Sequence, residues 1–217
     1  MSDTKQRLLD GALAALREHG VTGVSARTIA AAAGVNQALV FYHYGSVDEL
    51  LGTACLEATR QRVSVYASRF ASVGSLRELL QIGRDLHTAE LAAGNVSVLA
   101  QMLAAAQTGE RIARPVAAAL QLWTDEIEAV LVRIMHGSPV AEVADLPGLA
   151  RAVSAAFVGL ELYEGVDAEG AARALEALDQ LAVLVEVVED LGPLARRALR
   201  SRIRSHLKEE SREPTGT

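Results

Sequence analysis

At 217 residues, half of them hydrophobic, and with a formal charge of -6, the chain can bury a sizeable core and has no bulk basic charge that would advertise a nucleic-acid partner. The hydrophobic excess lies in Ala, Leu and Val, aromatics make up only 4%, and there are 5 prolines, which points to an all-helical fold. A single cysteine, Cys55, excludes an internal disulfide framework, no apolar run nears the roughly 20 residues needed to span a bilayer, and Met1 to Lys5 lacks the basic-then-apolar order of a signal peptide; the expectation is a cytoplasmic protein with no membrane partner.

In chain order, Asp3 and Gln6 have the spacing of a capping box, and Leu9, Ala12, Leu13 and Leu16 recur at helical spacing until Gly20. Ser25 is a candidate N-cap for an alanine-rich helix over 27–33, which Gly34 ends. Asn36 caps a second short helix over 37–43, and Gly45 breaks it. Ser46 and Glu49 form a capping box for a long helix to about residue 71, with Leu50, Leu51, Ala54, Ala58 and Val65 on its buried side. Two readings fit the short pair: a plain helical hairpin with an aromatic corner, or a helix-turn-helix whose second helix can enter the major groove. Phe41, Tyr42, His43 and Tyr44 cannot all face one core; Tyr42 and His43 are expected to point outward, Val40 and Tyr44 inward.

Further on, Ser75 and Glu78 form another capping box, for a helix closed by Gly94. Asn95 caps the next, to about residue 109. A longer helix over 110–136 carries Pro115 in its early part. Residues 138–148 read as a loop, 149–165 and 168–191 as helices, 194–210 as a basic helix and 211–217 as a frayed tail. Phe157, Leu160, Leu175, Leu178, Leu181, Val185 and Val188 give the two late helices more apolar circumference than one stripe needs. They either complete a monomer core or meet a partner.

The run Ala32-Ala33-Gly34-Val35-Asn36-Gln37-Ala38-Leu39-Val40-Phe41-Tyr42-His43-Tyr44-Gly45-Ser46, together with Thr28, Ile29, Ala30 and Leu50, resembles the DNA-binding signature of the tetracycline-repressor-like (TetR) family. The resemblance is specific over about the first fifty residues and one of architecture beyond them. It implies an all-α protein: a three-helix helix-turn-helix domain over 1–47, joined by a long helix to a helical ligand-binding and dimerisation domain over 48–210, with a disordered tail over 211–217. The two late helices would then pair with their twofold mates in a four-helix bundle, and the homodimer would read a palindromic operator.

Site roles follow from chemistry and from matching positions. Arg27 and Thr28 stand where phosphate contacts are made. Asn36, Gln37 and Ala38 open the recognition helix, and the Gln37 amide can pair bidentately with adenine. Phe41, Tyr42 and His43 match positions at the phosphate backbone, which fix register. Two departures reduce the backbone contacts: Phe41 stands where the family commonly has tyrosine and Val47 where it commonly has lysine. The first 47 residues carry four basic and three acidic side chains, a thin surplus.

The resemblance also implies a small-molecule pocket in the C-terminal part, with Gln101, Met102, Leu103, Gln107, Trp123, Phe157 and Tyr163 as candidates that fit plain core as well. The few basic residues there favour an apolar or cationic ligand. No cofactor, metal set or catalytic motif is legible: the 5 histidines are scattered, and no G-x-S-x-G, phosphate loop or G-x-G-x-x-G occurs. The sequence therefore predicts a dimeric DNA-binding repressor released by ligand, with a helical sensor of weak DNA affinity as the alternative, and not an enzyme.

Overall fold

Between Asp3 and Glu189 the chain winds almost entirely into helix: α1 (Asp3–Gly23), α2 (Ala26–Ala33), α3 (Ala38–Tyr44), α4 (Val47–Ser72), α5 (Leu76–Ala92), α6 (Asn95–Ala106), α7 (Glu110–Ile134), α8 (Leu146–Glu164) and α9 (Ala168–Glu189). The computed structural model describes residues 3–138, 141, 144–189, 192, 194–195, 197–198 and 201–202, and none of them is in a strand. The expected basic helix over 194–210 and the tail after it therefore lie largely outside the described residues. No single described helix is long and apolar enough to cross a membrane.

The chain divides into two units, Met1–Ser68 with Arg84–Thr124, and Arg69–Gly83 with Asp125–Thr217, so that α4, α5 and α7 each continue from one unit into the other. In the first unit the core gathers Leu8 and Leu16 of α1, Ile29 of α2, Val40 of α3, Leu50, Leu51 and Ala54 of α4, Met102 of α6, and Ile112 and Val116 of α7. Small residues set the closest approaches. A β-carbon on Gly11 would meet that of Ala33 at 2.8 Å, and one on Gly52 would overlap the Pro115 ring, so α1 lies hard against α2 and α4 against α7.

Four expectations are corrected here. Asp3 lies inside α1, and the Gln6 amide donates to Asp10 Oδ1 at 2.9 Å instead of closing a capping box. Asn95 is the first helical residue of α6, with Gly94 as the cap; its side chain accepts from Arg17 Nη2 (2.9 Å) and donates to Glu90 Oε2 (2.7 Å). Val65 is exposed, because the inward side of α4 there is held by Tyr66, edge-on to Trp123, and by Phe70, which is buried. α8 starts earlier than 149, because Pro147 sits in its first turn, where a missing N–H breaks no helical bond, and Asp145 Oδ1 accepts from Gly148 N–H (3.1 Å).

In the second unit, Val130, Leu131 and Met135 of α7 and Ala150 of α8 are buried. Arg133 Nη2 donates to the carbonyls of Phe70 (2.6 Å) and Val73 (3.1 Å), satisfying acceptors at the end of α4. The Phe157 ring lies over Gly83, where a β-carbon would overlap it. α8 packs on α9, yet α9 leaves Leu181 56%, Leu184 61% and Val187 56% exposed.

Candidate nucleic-acid interface

α2 and α3 owe their bounds to local hydrogen bonds. Ser25 Oγ accepts from Thr28 N–H (3.2 Å) while Thr28 Oγ1 accepts from Ser25 N–H (2.8 Å), a reciprocal capping box. At the other end Gly34 takes φ 63, and the N–H groups of Val35 and Gly34 donate to the carbonyls of Ala30 (3.0 Å) and Ala31 (3.2 Å). That is a Schellman closure, which needs a left-handed residue, and glycine adopts it without β-carbon strain. Asn36 Oδ1 then accepts from Ala38 N–H (2.8 Å) and starts α3. Gly45, at φ 76, stops it and donates to the Phe41 carbonyl at 2.9 Å. Ser46 Oγ accepts from Glu49 N–H (3.1 Å) to open α4. The turn from α2 into α3 is thus four residues, 34–37, closed by its own polar groups.

This arrangement divides α3 into two faces. Val40 is fully buried and Leu39 and Tyr44 are half-buried against the core. Asn36, Gln37 and Ala38 are exposed at the helix start, Gln37 makes no side-chain cap bond, and Phe41 and Tyr42 are 50% and 80% exposed. The Tyr42 and His43 rings meet edge-on at 4.8 Å, with His43 half-buried. Arg27 is exposed on α2, whereas Thr28 is half-buried and its hydroxyl also donates to the Ser25 carbonyl (3.0 Å). Seven of the eight expected DNA-contact residues are thus exposed or half-exposed, and the eighth, Thr28, is half-buried with its hydroxyl engaged in the cap.

Electrostatics around the motif are sparse. Arg7 and Arg17, both part of the thin basic surplus, are engaged within the first unit: Arg7 with the Ala33 and Gly34 carbonyls, Arg17 with Asn95. Behind α3 a cleft of about 720 Å³ is lined by His43, Tyr44, Glu49, Thr53, Arg111 and Arg114 among others. Arg114 is paired with Glu110 at 2.6 Å, so the cleft holds both signs of charge. Tyr44 is raised above the ordinary phenol value by burial and then by the nearby Glu57 carboxylate; its hydroxyl donates to the Lys5 carbonyl at 3.1 Å. Burial also raises the Cys55 thiol, a hydrogen bond with Thr59 opposing it, which leaves Cys55 a buried, unreactive thiol. Among the described residues no group of three His, Cys, Asp or Glu side chains stands close enough to hold a metal ion.

The expected ligand residues divide between the units. Met102 is fully buried in the first core with Leu103 packed beside it. Gln101 Oε1 accepts from Val21 N–H at 2.7 Å, the amide released where α1 breaks at Gly20. Gln107 is exposed at the end of α6, and Trp123 is half-buried beside Tyr66. In the second unit Phe157 covers Gly83 and Tyr163 is half-exposed. Gln101 therefore braces the end of α1 and Met102 fills the first core, and the sequence does not disclose the Gln101 contact because its partner lies 80 residues away.

The profile of bacterial regulatory proteins of the tetR family matches residues 8–54, the stretch that builds this motif. The chain carries a helix-turn-helix of the TetR type over these residues. It is 30% identical over 99 residues to the HTH-type nicotine-responsive transcriptional repressor HdnoR of Paenarthrobacter nicotinovorans, a match covering 46% of this chain and 51% of that one, so it spans about half the length of that relative. A crystal structure from Rhodococcus sp. described as a TetR-family transcriptional regulator superposes with a TM-score of 0.67 at 23% identity, covering 88% of this chain and all (100%) of the other. The regulator FadR from Bacillus subtilis in complex with stearoyl-CoA superposes with a TM-score of 0.65 at 12% identity, covering 85% and 97%. At these identities the two structures share the fold.

Proposed function

We propose that this chain is a homodimeric, sequence-specific repressor that a small molecule releases from a palindromic operator, with a DNA-binding domain over 1–47 and a sensing and dimerising part over 48–210. The observation that carries this reading is the exposed polar start of α3, Asn36-Gln37-Ala38, set on a helix whose opposite side is buried through Val40. One seven-residue helix buries too little surface for tight specific binding; two copies a helical turn apart read two half-sites. The exposed Leu181, Leu184 and Val187 of α9 support a partner surface there, together with Phe157, Leu160, Leu175, Leu178 and Val185, all half-buried. The side chain of Val188 lies outside the described residues.

A ligand would act by binding the DNA-free state more tightly than the DNA-bound state; without that difference in affinity no release follows. Relatives differ in ligand: HdnoR is nicotine-responsive and the Bacillus subtilis FadR structure holds stearoyl-CoA. For this chain an apolar or cationic molecule is proposed, from the scarcity of basic residues in its middle region. Trp123, half-buried against Tyr66, is the first residue to examine by its fluorescence.

The alternative is a sensor with weak DNA binding. Val47 and Phe41 lack phosphate-binding groups, and Arg7 and Arg17 are engaged internally. Selection of bound duplexes, followed by a salt titration, separates the two. A repressor prefers its selected site over random duplex and shows a shallow slope of log K against log salt, set by the few phosphates neutralised. No preference over random duplex supports the sensor, and a slope of about ten contradicts the contact assignment.

A further inference from the structure

α3 has seven residues, too few to hold helical form without outside support. Its core contact is Val40, fully buried, flanked by half-buried side chains. What holds its two ends is therefore decisive for where its exposed face points. At the entry, the Schellman closure uses the Ala30 and Ala31 carbonyls and leaves those of Ala33 and Gly34 without helical partners. Arg7, one turn into α1, meets both: Nε donates to the Ala33 carbonyl (3.1 Å) and Nη2 to the Gly34 carbonyl (2.6 Å). At the exit, the last residue of α3, Tyr44, donates its hydroxyl to the Lys5 carbonyl of the same α1 turn (3.1 Å).

We propose that Arg7 and Tyr44 are positioning residues for DNA recognition: together they fasten the turn before α3 and the end of α3 to the first turns of α1, and so set the angle at which Gln37 and its neighbours are presented. Arg7 suits this place for two reasons. Its planar fork meets the two carbonyls from two nitrogens held at fixed spacing, where a lysine has one freely rotating ammonium, and its positive charge lies at the negative end of α2. In sequence the same arginine reads as one of the few basic residues available to phosphate. The structure directs it to the protein's own backbone.

The proposal rests on the DNA-binding reading, and its test has one readout that does not. Full-length wild type, Arg7→Gln, Arg7→Lys and Tyr44→Phe are titrated with a duplex selected by the wild type and with random duplex, across a salt series. Amide hydrogen exchange follows α3 in the free proteins. Arg7→Gln is expected to lose about tenfold or more in affinity for the selected duplex, the scale of hydrogen bonds from a charged donor. Affinity for random duplex and the salt slope stay the same, and amides of α3 lose protection while those around Leu16 keep it. Arg7→Lys restores little of either, and Tyr44→Phe moves both in the same direction by less. A salt slope lower by about one with α3 protection intact would make Arg7 a phosphate contact and overturn the proposal. So would unchanged affinity and protection. If Arg7→Gln unfolds the whole unit, Tyr44→Phe decides by the same readouts. If the wild type selects no duplex, the regulator reading fails, and protection of α3 still decides the positioning role.

Discussion

The helix-turn-helix and the α8–α9 pair treat their apolar side chains in opposite ways. In the first, Leu8, Leu16, Ile29, Val40 and Leu50 are all fully buried, and the caps and turns close on groups of the same unit. In the second, α9 is apolar over much of its surface and leaves Leu181, Leu184 and Val187 in the open. Scattered exposed leucines are ordinary, but three within seven residues of one helix form a patch that a monomer gains nothing by exposing. One region closes on its own side chains; the other leaves apolar surface exposed, which the proposed dimer would cover. A short reading head can be self-contained because its core is fed by four other helices. The late pair packs on itself, and Phe157 of α8 reaches Gly83 of α5.

The most damaging test of that contrast is a double charge on α9. Leu181→Asp with Leu184→Asp is expected to abolish the proposed dimer, because burying two unpaired carboxylates costs more than about 4 kcal/mol. Sedimentation should then report a folded monomer, with affinity for a palindromic duplex reduced by a factor of about a hundred or more. A variant that stays dimeric removes α9 from the interface. Leu16→Ala does the converse. Its side chain is fully buried in the first core, so a loss of about 3 kcal/mol is expected in denaturant unfolding, from lost transfer energy and the cavity left behind. Self-association should persist wherever the protein remains folded.

Gln37→Ala probes the reading surface with no cost to the fold. Gln37 is exposed and makes no cap bond, so the melting temperature should not change. Affinity for the selected duplex should fall by about 2 kcal/mol, with preference relaxed at one base position, as for loss of one amide–adenine pair. Uniform weakening across all sequences would instead make Gln37 a backbone contact.

How much of this was legible in the sequence follows the range of each interaction. Ser25, Gly34, Asn36, Gly45 and Ser46 were readable because each bonds within a few residues of itself. Arg7, Gln101 and Asn95 were not, because their partners are 26, 80 and 78 residues away. The break at Gly20 was visible, but not that the Val21 N–H it frees would be taken by Gln101. Val65 lies one position off the inward side of α4, which Tyr66 and Phe70, a turn apart, hold, and a shift of one residue rotates a side chain about 100°. Pro147 reads as loop because proline interrupts helices, though in a first turn it does not. The pocket residues are candidates that the resemblance implies, and their side-chain types fit plain core as well, so the sequence does not distinguish one that braces a core from one that lines a cavity.

The smallest expected effect is on the alkaline side, and it too separates the regions. Cys55 and Tyr44 both belong to the first unit, and both are raised, chiefly by burial, above their ordinary values of 9.0 and 10.0. The folded chain therefore holds each proton at a pH where the unfolded chain has released it. Their contribution is complete below the unfolded values and is lost as pH rises through the folded ones. Unfolding free energy should decline first as pH passes 9.0 and further past 10.0. Cys55→Ala should flatten the first part of that decline and Tyr44→Phe the second, whatever each does to stability at neutral pH. The α9 patch described above has no such group among its exposed leucines and valine, so self-association should not follow the same curve. If stability rises over this window, or if dimerisation and unfolding titrate together, the two regions are not energetically separate and the contrast drawn from their apolar surfaces fails with them.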